Sequence, residues 1–461
     1  MNTTLIRGGD VVLDGDVLKQ DILIQGEKIA AVGDIPGVQA SKEYSAQGLL
    51  VLPGAVDTHV HFNDEFMNTK SVHDYETGTV AAAFGGVTTV VDFSNQIPEK
   101  PLIHTLEKKK QEAEGRAIVD WGVHPVITNA TSEILKEIPL LVEKGAPTIK
   151  CYMVYREEGL MVKEDDLRRI MEQLKSAGGM LMVHAEDNDI IEKNTSSLIK
   201  QGLTDPIYHA KSRPPEAENK AIEKCIHLAG QTQARIFIVH MSTAKGVRLV
   251  GQARKKGIDV RAETCIHYLY FTESQLKQKD GIKWICSPPL RSKSNQEKLW
   301  EGLRDKRISL VTTDDAAYSW AAKMIGAHRF DKCPNGIPGI EVRLSLLYSE
   351  GVQKGRISLN RMVELISTQP AEVFGMSPQK GSLSPGADAD IVLFDPKKKW
   401  TMGRDSLHMA ADWSAYEDIE VTGKIEKVFS RGELIVDGER LLAQKGRGKY
   451  IQRKLRTGSD E

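Results

Sequence analysis

Between residues 54 and 370, short apolar runs alternate with charged stretches, and no other feature constrains the fold as much. The runs are "AVDTHVHF", "GGVTTVVDF", "AIVDWGVHPVI", "APTIKCYMVY", "GGMLMVHAE", "ARIFIVHMS", "GIDVRAETC" and "RISLVTTDD". Helix-patterned segments such as "EDDLRRIMEQLKSAGG" and "TAKGVRLVGQARKKG" fall between several of them. Strands separated by helices run parallel in one sheet. About eight such units over about 300 residues predict an α/β fold, a (β/α)8 TIM-like barrel. A doubly wound open sheet is the alternative. No GxGxxG follows the first run, which weighs against its nucleotide-binding version.

The two ends have another texture. "TLIRGGDVVLDGD", "QDILIQGEKIAAVG" and "GLLVLPG" stand near the start, "GADADIVLFDP" and "KIEKVFSRGELIVDGE" near the end. They are β-branched runs broken by Gly-Asp and Gly-Glu turns. A lone strand leaves its backbone groups unpaired, so the simplest arrangement joins both ends in one small β domain. A separate sheet at each end is the alternative. The closing stretch "KGRGKYIQRKLRTGSDE" reads as an exposed arm, an oligomer contact or a disordered tail.

Composition excludes several partners. A formal net charge of -1 gives no global basic field, so neither nucleic acid nor an anionic membrane is expected. No run approaches the roughly 18 apolar residues of a spanning helix. The first residues lack an apolar signal core. Cys151, Cys225, Cys265, Cys286 and Cys333 form no CxxC, and such a sparse set suits a reducing compartment. A cytoplasmic protein is expected.

The polar residues fall in one place along the pattern. In a strand, i and i+2 share a face, so His59 and His61 point together at the end of the first barrel strand. His184 and His240 end two further runs, Asp314 and Asp315 end the last, and Lys150 lies inside an apolar one. Taken singly, the histidines fit hydrogen-bonded core residues, Asp314 a helix cap and Lys150 a buried ion pair. Together they lie toward the C-terminal ends of strands, where a barrel assembles its active site.

These residue types suit divalent metal. Neutral imidazole binds zinc at about 2.0–2.1 Å. Four histidines and one carboxylate ligate two ions thinly, and adjacent cations call for a bridging anion. A neutral lysine amine adds CO2 to give an anionic carbamate, which nearby cations stabilise. Burial and positive charge both lower an amine's pKa, so Lys150 suits that role. Two metals about 3.5–4 Å apart bring a water to hydroxide near neutral pH. Asp314 is then placed to take the water's proton and hand it to a departing nitrogen. This chemistry fits an amide, ester or phosphoester, and the residues alone do not choose.

Longer strings narrow the choice. "PGAVDTHVHF", "AAAFGGVTTVVDF", "IKCYMVY", "VHAED", "DPIYHAKSRPPEAEN", "VHMST", "AETC", "SPPLR", "PNGIPGIEVRLSLLYSEGV" and "GSLSPGADADIVLFDP" span nearly the whole chain. With them the chain resembles the cyclic amidohydrolases of the hydantoinase/dihydropyrimidinase group. The resemblance implies a barrel at 54–375, a smaller β-sandwich domain from 1–53 with 376–445, and a tail at 446–461. It implies His59, His61 and Asp314 on one metal, His184 and His240 on a second, usually zinc, and a carboxylated Lys150 between them. Tyr155 resembles the tyrosine that supports the oxyanion. Ser287 and Asn335 match positions that hold the substrate's cyclic amide through backbone groups. Homotetramers or homodimers are implied. Ring-opening hydrolysis of a hydantoin or dihydropyrimidine to an N-carbamoyl amino acid is the expected activity.

The chain departs from the pattern in two places. Where such proteins often carry His-Cys after the aspartate, this one reads "TTDDAAYSW", and "VTTD" aligns Asp314 as the ligand. "ETCIHYL" replaces the commoner "ETCPQYL" and puts His267 near the barrel mouth, where a surface or packing role is expected rather than a substrate contact. Allantoinase is the nearest rival activity. Dihydroorotase fits less well, because no arginine follows the HxH pair. A non-catalytic scaffold is disfavoured because all six ligand positions are filled.

Overall fold

The computed structural model describes residues 3–13 and 15–456. All eight apolar runs form parallel strands: Ala55–Val60, Val87–Ser94, Asp120–Pro125, Thr148–Tyr152, Met180–His184, Ile236–Ile238, Val260–Cys265 and Leu310–Thr312. They pair in chain order as an arc of three and an arc of five. Single parallel bridges, Val126 to Lys150 and Val60 to Asp315, join the arcs at both seams. The order therefore returns to its first strand, as a barrel requires.

Strand parity separates inside from outside. Ile149, Cys151, Leu181, Val183, Ile236 and Ile238 pack in the core shared with the helices. Val91, Phe93, Met182, Phe237, Val239 and Leu310 form a second cluster inside the barrel. Both faces are buried, so these strands read as continuous apolar runs rather than alternating ones.

The outer helices follow from local signals. Glu164–Ala177 opens with Glu164, Asp165 and Asp166, which favour the positive end of the helix dipole. It buries Leu167, Ile170, Met171 and Leu174, a stripe of helical spacing. Gly178 ends it at φ 74°, a left-handed state that glycine adopts without a Cβ clash.

Strands from both ends form one nine-stranded sheet. Leu50–Pro53 pairs with Ile391–Met402 on one side and with Thr3–Val12 on the other. Residues alternate between two cores: Val51, Ile391 and Leu393 pack in a cluster of the small sheet. Leu50, Leu52, Val392 and Phe394 pack with the barrel. Tyr44 and Phe429, on strands that are not neighbours, meet edge to face at 5.2 Å, so the sheet folds over on itself.

The closing stretch is docked through residue 456. Trp121 N–H donates to the Lys449 carbonyl at 3.0 Å, and Ile451 N–H donates to the Trp121 carbonyl at 2.7 Å. Arg453 is buried, donating to Thr148 Oγ1 at 2.9 Å and to the Val123 carbonyl at 2.5 Å. It thereby ties two strands that share a single bridge. A basic, polar composition reads as exposed, but a guanidinium whose Nη groups meet neutral acceptors can be buried. Residues 457–461 of that stretch lie outside the described residues. Among the described residues, no helix is long and apolar enough to cross a membrane.

Candidate active site

The polar residues converge at the C-terminal rim. Lys150 is inward by parity with Thr148 and Tyr152, and His184 continues the inward series of Met180 and Met182. The first strand needs an irregularity. Val56 faces inward and Val60 outward, and a register shift between Asp57 and Val60 turns His59 and His61 inside. His240 follows inward Val239, so alternation would point it outward. Its φ of 36° breaks the alternation and returns the ring to the interior. Tyr155 and Asp314 also have left-handed backbones, at φ 67° and 48°. Each such non-glycine residue costs about 1–2 kcal/mol, which the surrounding structure must offset.

Three of the four imidazoles are backed by carboxylates. His59 Nδ1 meets Glu263 Oε1, His61 Nδ1 lies 3.0 Å from Asp64 Oδ2, and His184 Nε2 lies 2.8 Å from Glu186 Oε2. With that N–H donated to the carboxylate, the other ring nitrogen keeps its lone pair. This arrangement orients imidazoles toward metal. Glu263 also accepts from the His240 backbone N–H at 3.2 Å. The free nitrogens of His59 and His61 lie 3.1 and 3.3 Å from Asp314 Oδ1.

Charge is poorly balanced among the protein's own groups at the rim. Burial lowers the Lys150 amine to about 8, against the pull of Asp314 and Glu263. Burial opposes protonation of His61, yet Asp314 and Asp64 outweigh it and push the ring up to about 9. Burial would raise Asp314, but His59, His61 and His240 hold it well below the usual carboxylate range. His59 Nε2, His240 Nδ1 and Lys150 Nζ are buried without a hydrogen-bond partner. Such orphaned groups are rare unless something else binds them. Ligand atoms of His59, His240 and Asp314 lie within 4.8 Å of one another. The nitrogen and carboxylate donors therefore fit divalent metal. This trio draws from both ligand sets implied by the resemblance.

A cavity of about 60 Å³ opens onto these groups. Its floor holds His61, Lys150, His184, His240 and Asp314, and Phe66, Tyr152, Leu160 and Tyr318 wall it. Tyr155, Ser287 and Asn335 also line it. Asn335 Nδ2 donates to the Tyr155 hydroxyl at 3.4 Å. Tyr155 and Asn335 are shared with an outer cavity of about 430 Å³.

The adjacent aspartates divide. Asp314 faces the cavity, whereas Asp315 is fully buried elsewhere. Asp315 Oδ2 accepts from His73 Nδ1 at 2.7 Å, and its Oδ1 accepts from Gly339 and Ile340 N–H at 2.6 and 3.0 Å. His267 is buried, not at the surface, and meets the Tyr268 ring edge to face at 4.2 Å, a packing position. Sequence reasoning gave no role to Glu263, Asp64 or Glu186. The available signal was slight: Glu186 stands at i+2 from His184 in "VHAED" and Asp64 at i+3 from His61.

The profile described as the Amidohydrolase family matches residues 50–435. The chain belongs to the amidohydrolase family. Its relatives place this amidohydrolase in the hydantoinase/dihydropyrimidinase group. It is 38% identical to the D-hydantoinase of Geobacillus stearothermophilus over 98% of this chain and 96% of that one. It is 40% identical to the D-phenylhydantoinase of Escherichia coli O1:K1 / APEC, over 98% of each chain. The crystal structure of dihydropyrimidinase from Brevibacillus agri NCHU1002 superposes with a TM-score of 0.97, at 38% identity over 99% of each chain. Amidohydrolase membership implies divalent metal, in agreement with the donor set. Glu263→Gln is expected to weaken metal affinity about 10–100-fold, because it loosens His59 without removing a ligand. Competition against a chelator measures this.

Proposed function

We propose that this amidohydrolase opens a hydantoin or dihydropyrimidine ring by hydrolysing an amide C–N bond, giving an N-carbamoyl amino acid. The observation that carries the reading is a ring of carboxylate-backed imidazoles around an unpaired buried lysine. The names of the relatives favour hydantoins over allantoin, and their D designation favours the D enantiomer.

His59, His61 and Asp314 would hold one ion, and His184 and His240 the second, with zinc the expected metal. Lys150, neutral for part of the time because burial lowers it to about 8, would carry the bridging carbamate. When bound, the ions supply Lewis-acid polarisation of the amide carbonyl and an acidified water. Asp314 takes the water's proton and delivers it to the ring nitrogen as the C–N bond breaks. The Tyr155 hydroxyl donates to the carbonyl oxygen as it gains charge. The Ser287 and Asn335 backbones hold the ring amide. Phe66, Tyr152 and Tyr318 exclude water from the face they cover.

Asp314→Asn is expected to lower kcat by about 10²–10⁴-fold, the scale of general acid–base catalysis, and to weaken metal retention no more than that. Kinetics and metal content measured on one sample test this. A metal-replete enzyme assayed on hydantoin, phenylhydantoin, dihydrouracil and allantoin tests the function itself. Inertness toward the first three rejects it, and chiral chromatography of the phenylhydantoin product tests the D assignment. Five buried, unpaired cysteines fit the cytoplasm. A homotetramer or homodimer is expected by light scattering.

A further inference from the structure

The string "DPIYHAKSRPPEAEN" has no role in the mechanism so far, yet it delivers Arg213 to the edge of the site. Arg213 is buried at the corner between Ile207–Ser212 and Pro215–Thr232. Its N–H donates to the His209 carbonyl at 3.3 Å, and its own carbonyl accepts from the Arg291 guanidinium. Arg291 is itself held by Glu218 and Ser242, each at 3.0 Å. The backbone of Arg213 is thus fixed on both sides. Its Nη1 donates to Glu186 Oε2 at 2.6 Å, the same oxygen that lies 2.8 Å from His184 Nε2. The guanidinium carbon lies 5.1 Å from the centre of the Tyr155 ring. One cation therefore touches both the carboxylate behind a metal ligand and the face of the oxyanion donor.

We infer that Arg213 is a positioning residue that sets the Tyr155 phenol against the His184 imidazole. The inference rests on the functional reading above and deepens it. Charge alone is a poor explanation. Glu186 lies 2.6 Å from the guanidinium and cancels much of its field at a ring 5.1 Å away. Geometry is the stronger effect. Tyr155 sits at φ 67°, a state that persists only when its surroundings hold it. The guanidinium against the ring and the Phe66 ring at 5.1 Å supply that hold. A lysine at 213 keeps the charge but loses the plane.

The test is a double-mutant cycle on the full-length, metal-replete enzyme. Arg213→Met is expected to lower kcat about 30-fold, somewhat less than the roughly 10²–10³-fold cost of removing an oxyanion donor outright. KM is expected to change less than about threefold, because the lost contact acts in the transition state. In a Tyr155→Phe background the same change should cost less than about threefold, since the positioned hydroxyl is gone. Arg213→Met and Glu186→Gln are each expected to speed chelator-driven metal loss by about tenfold. A wild-type rate for Arg213→Met, an equal loss in both backgrounds, or unchanged metal loss overturns the inference. If thermal melting shows that Arg213→Met does not fold, Arg213→Lys takes its place, and additive behaviour there overturns the inference equally. Failure of the unmutated enzyme to open any ring strikes the functional reading instead, and the metal-loss arm still decides whether Arg213 steadies His184.

Discussion

Lys150→Ala is expected to yield a folded protein that no longer retains its metal. Lys150 is fully buried, its Nζ has no hydrogen-bond partner, and it lies over the rings of Phe93 and Tyr152 at 4.7 and 5.0 Å. Truncation leaves a cavity, which destabilises, but also removes an orphaned amine, which stabilises. Fold stability should therefore change less than for an ordinary core truncation, which costs about 2–5 kcal/mol. The metal site would lose the anionic bridge proposed for Lys150, and kcat/KM should fall by about 10³-fold or more. Acetate or propionate added to the variant should restore part of the rate, since either fills the space with the missing carboxylate. Metal analysis and chemical denaturation of the same preparation check both halves. A Lys150→Ala enzyme with full metal and full rate removes the bridge from the mechanism.

The largest expected effect on stability lies at the opposite end of the barrel. Lys380 is fully buried and bonds Asp120 at 2.6 Å, Asp390 at 2.8 Å and Asp388 at 2.9 Å. Asp120 opens a barrel strand, and Asp390 precedes a strand of the small sheet. Arg431 reaches the same Asp120 at 3.1 Å and Glu27 at 2.7 Å. One ammonium thus neutralises carboxylates from both layers. Lys380→Met leaves these carboxylates buried with too little positive charge, and unfolding free energy should fall by about 3–5 kcal/mol. Burial alone would lower the Lys380 amine, but Asp390, Asp120 and Asp388 raise it above its ordinary value. Its contribution is therefore complete below lysine's unfolded pKa of about 10.4 and is lost only as pH rises through the higher folded value. In the variant, buried carboxylates deprived of that ammonium should resist ionisation, so folding would favour proton uptake. The deficit should shrink as pH falls from neutral toward the acid range. Urea melts at several pH values measure it, and an unchanged midpoint for Lys380→Met refutes the role of Lys380 as a staple between the layers.

Much of this molecule is legible in its letters. Burial of both strand faces forces continuous apolar runs, and all eight runs from residue 55 onward became parallel strands in chain order. The ligand-type residues stood at the ends of those runs, and period two placed Lys150 and His184 inward without any help. Period two fails for His240, whose inward turn depends on φ 36°, a backbone state that its neighbours impose. It fails also across the register shift that turns His59 inside.

What the letters determine by themselves is local: strand periodicity, helix ends, and the chemistry each side chain can offer. Pairings across the barrel are of another kind. His59 meets Glu263 from 204 residues away, His73 meets Asp315 from 242, and Arg453 reaches Val123 across 330. Closure of the barrel decides the first two meetings, because only a closed ring of strands brings distant strand ends within hydrogen-bond reach, and docking of the closing stretch decides the third. A buried carboxylate or guanidinium then has to take whichever partner the closed ring provides.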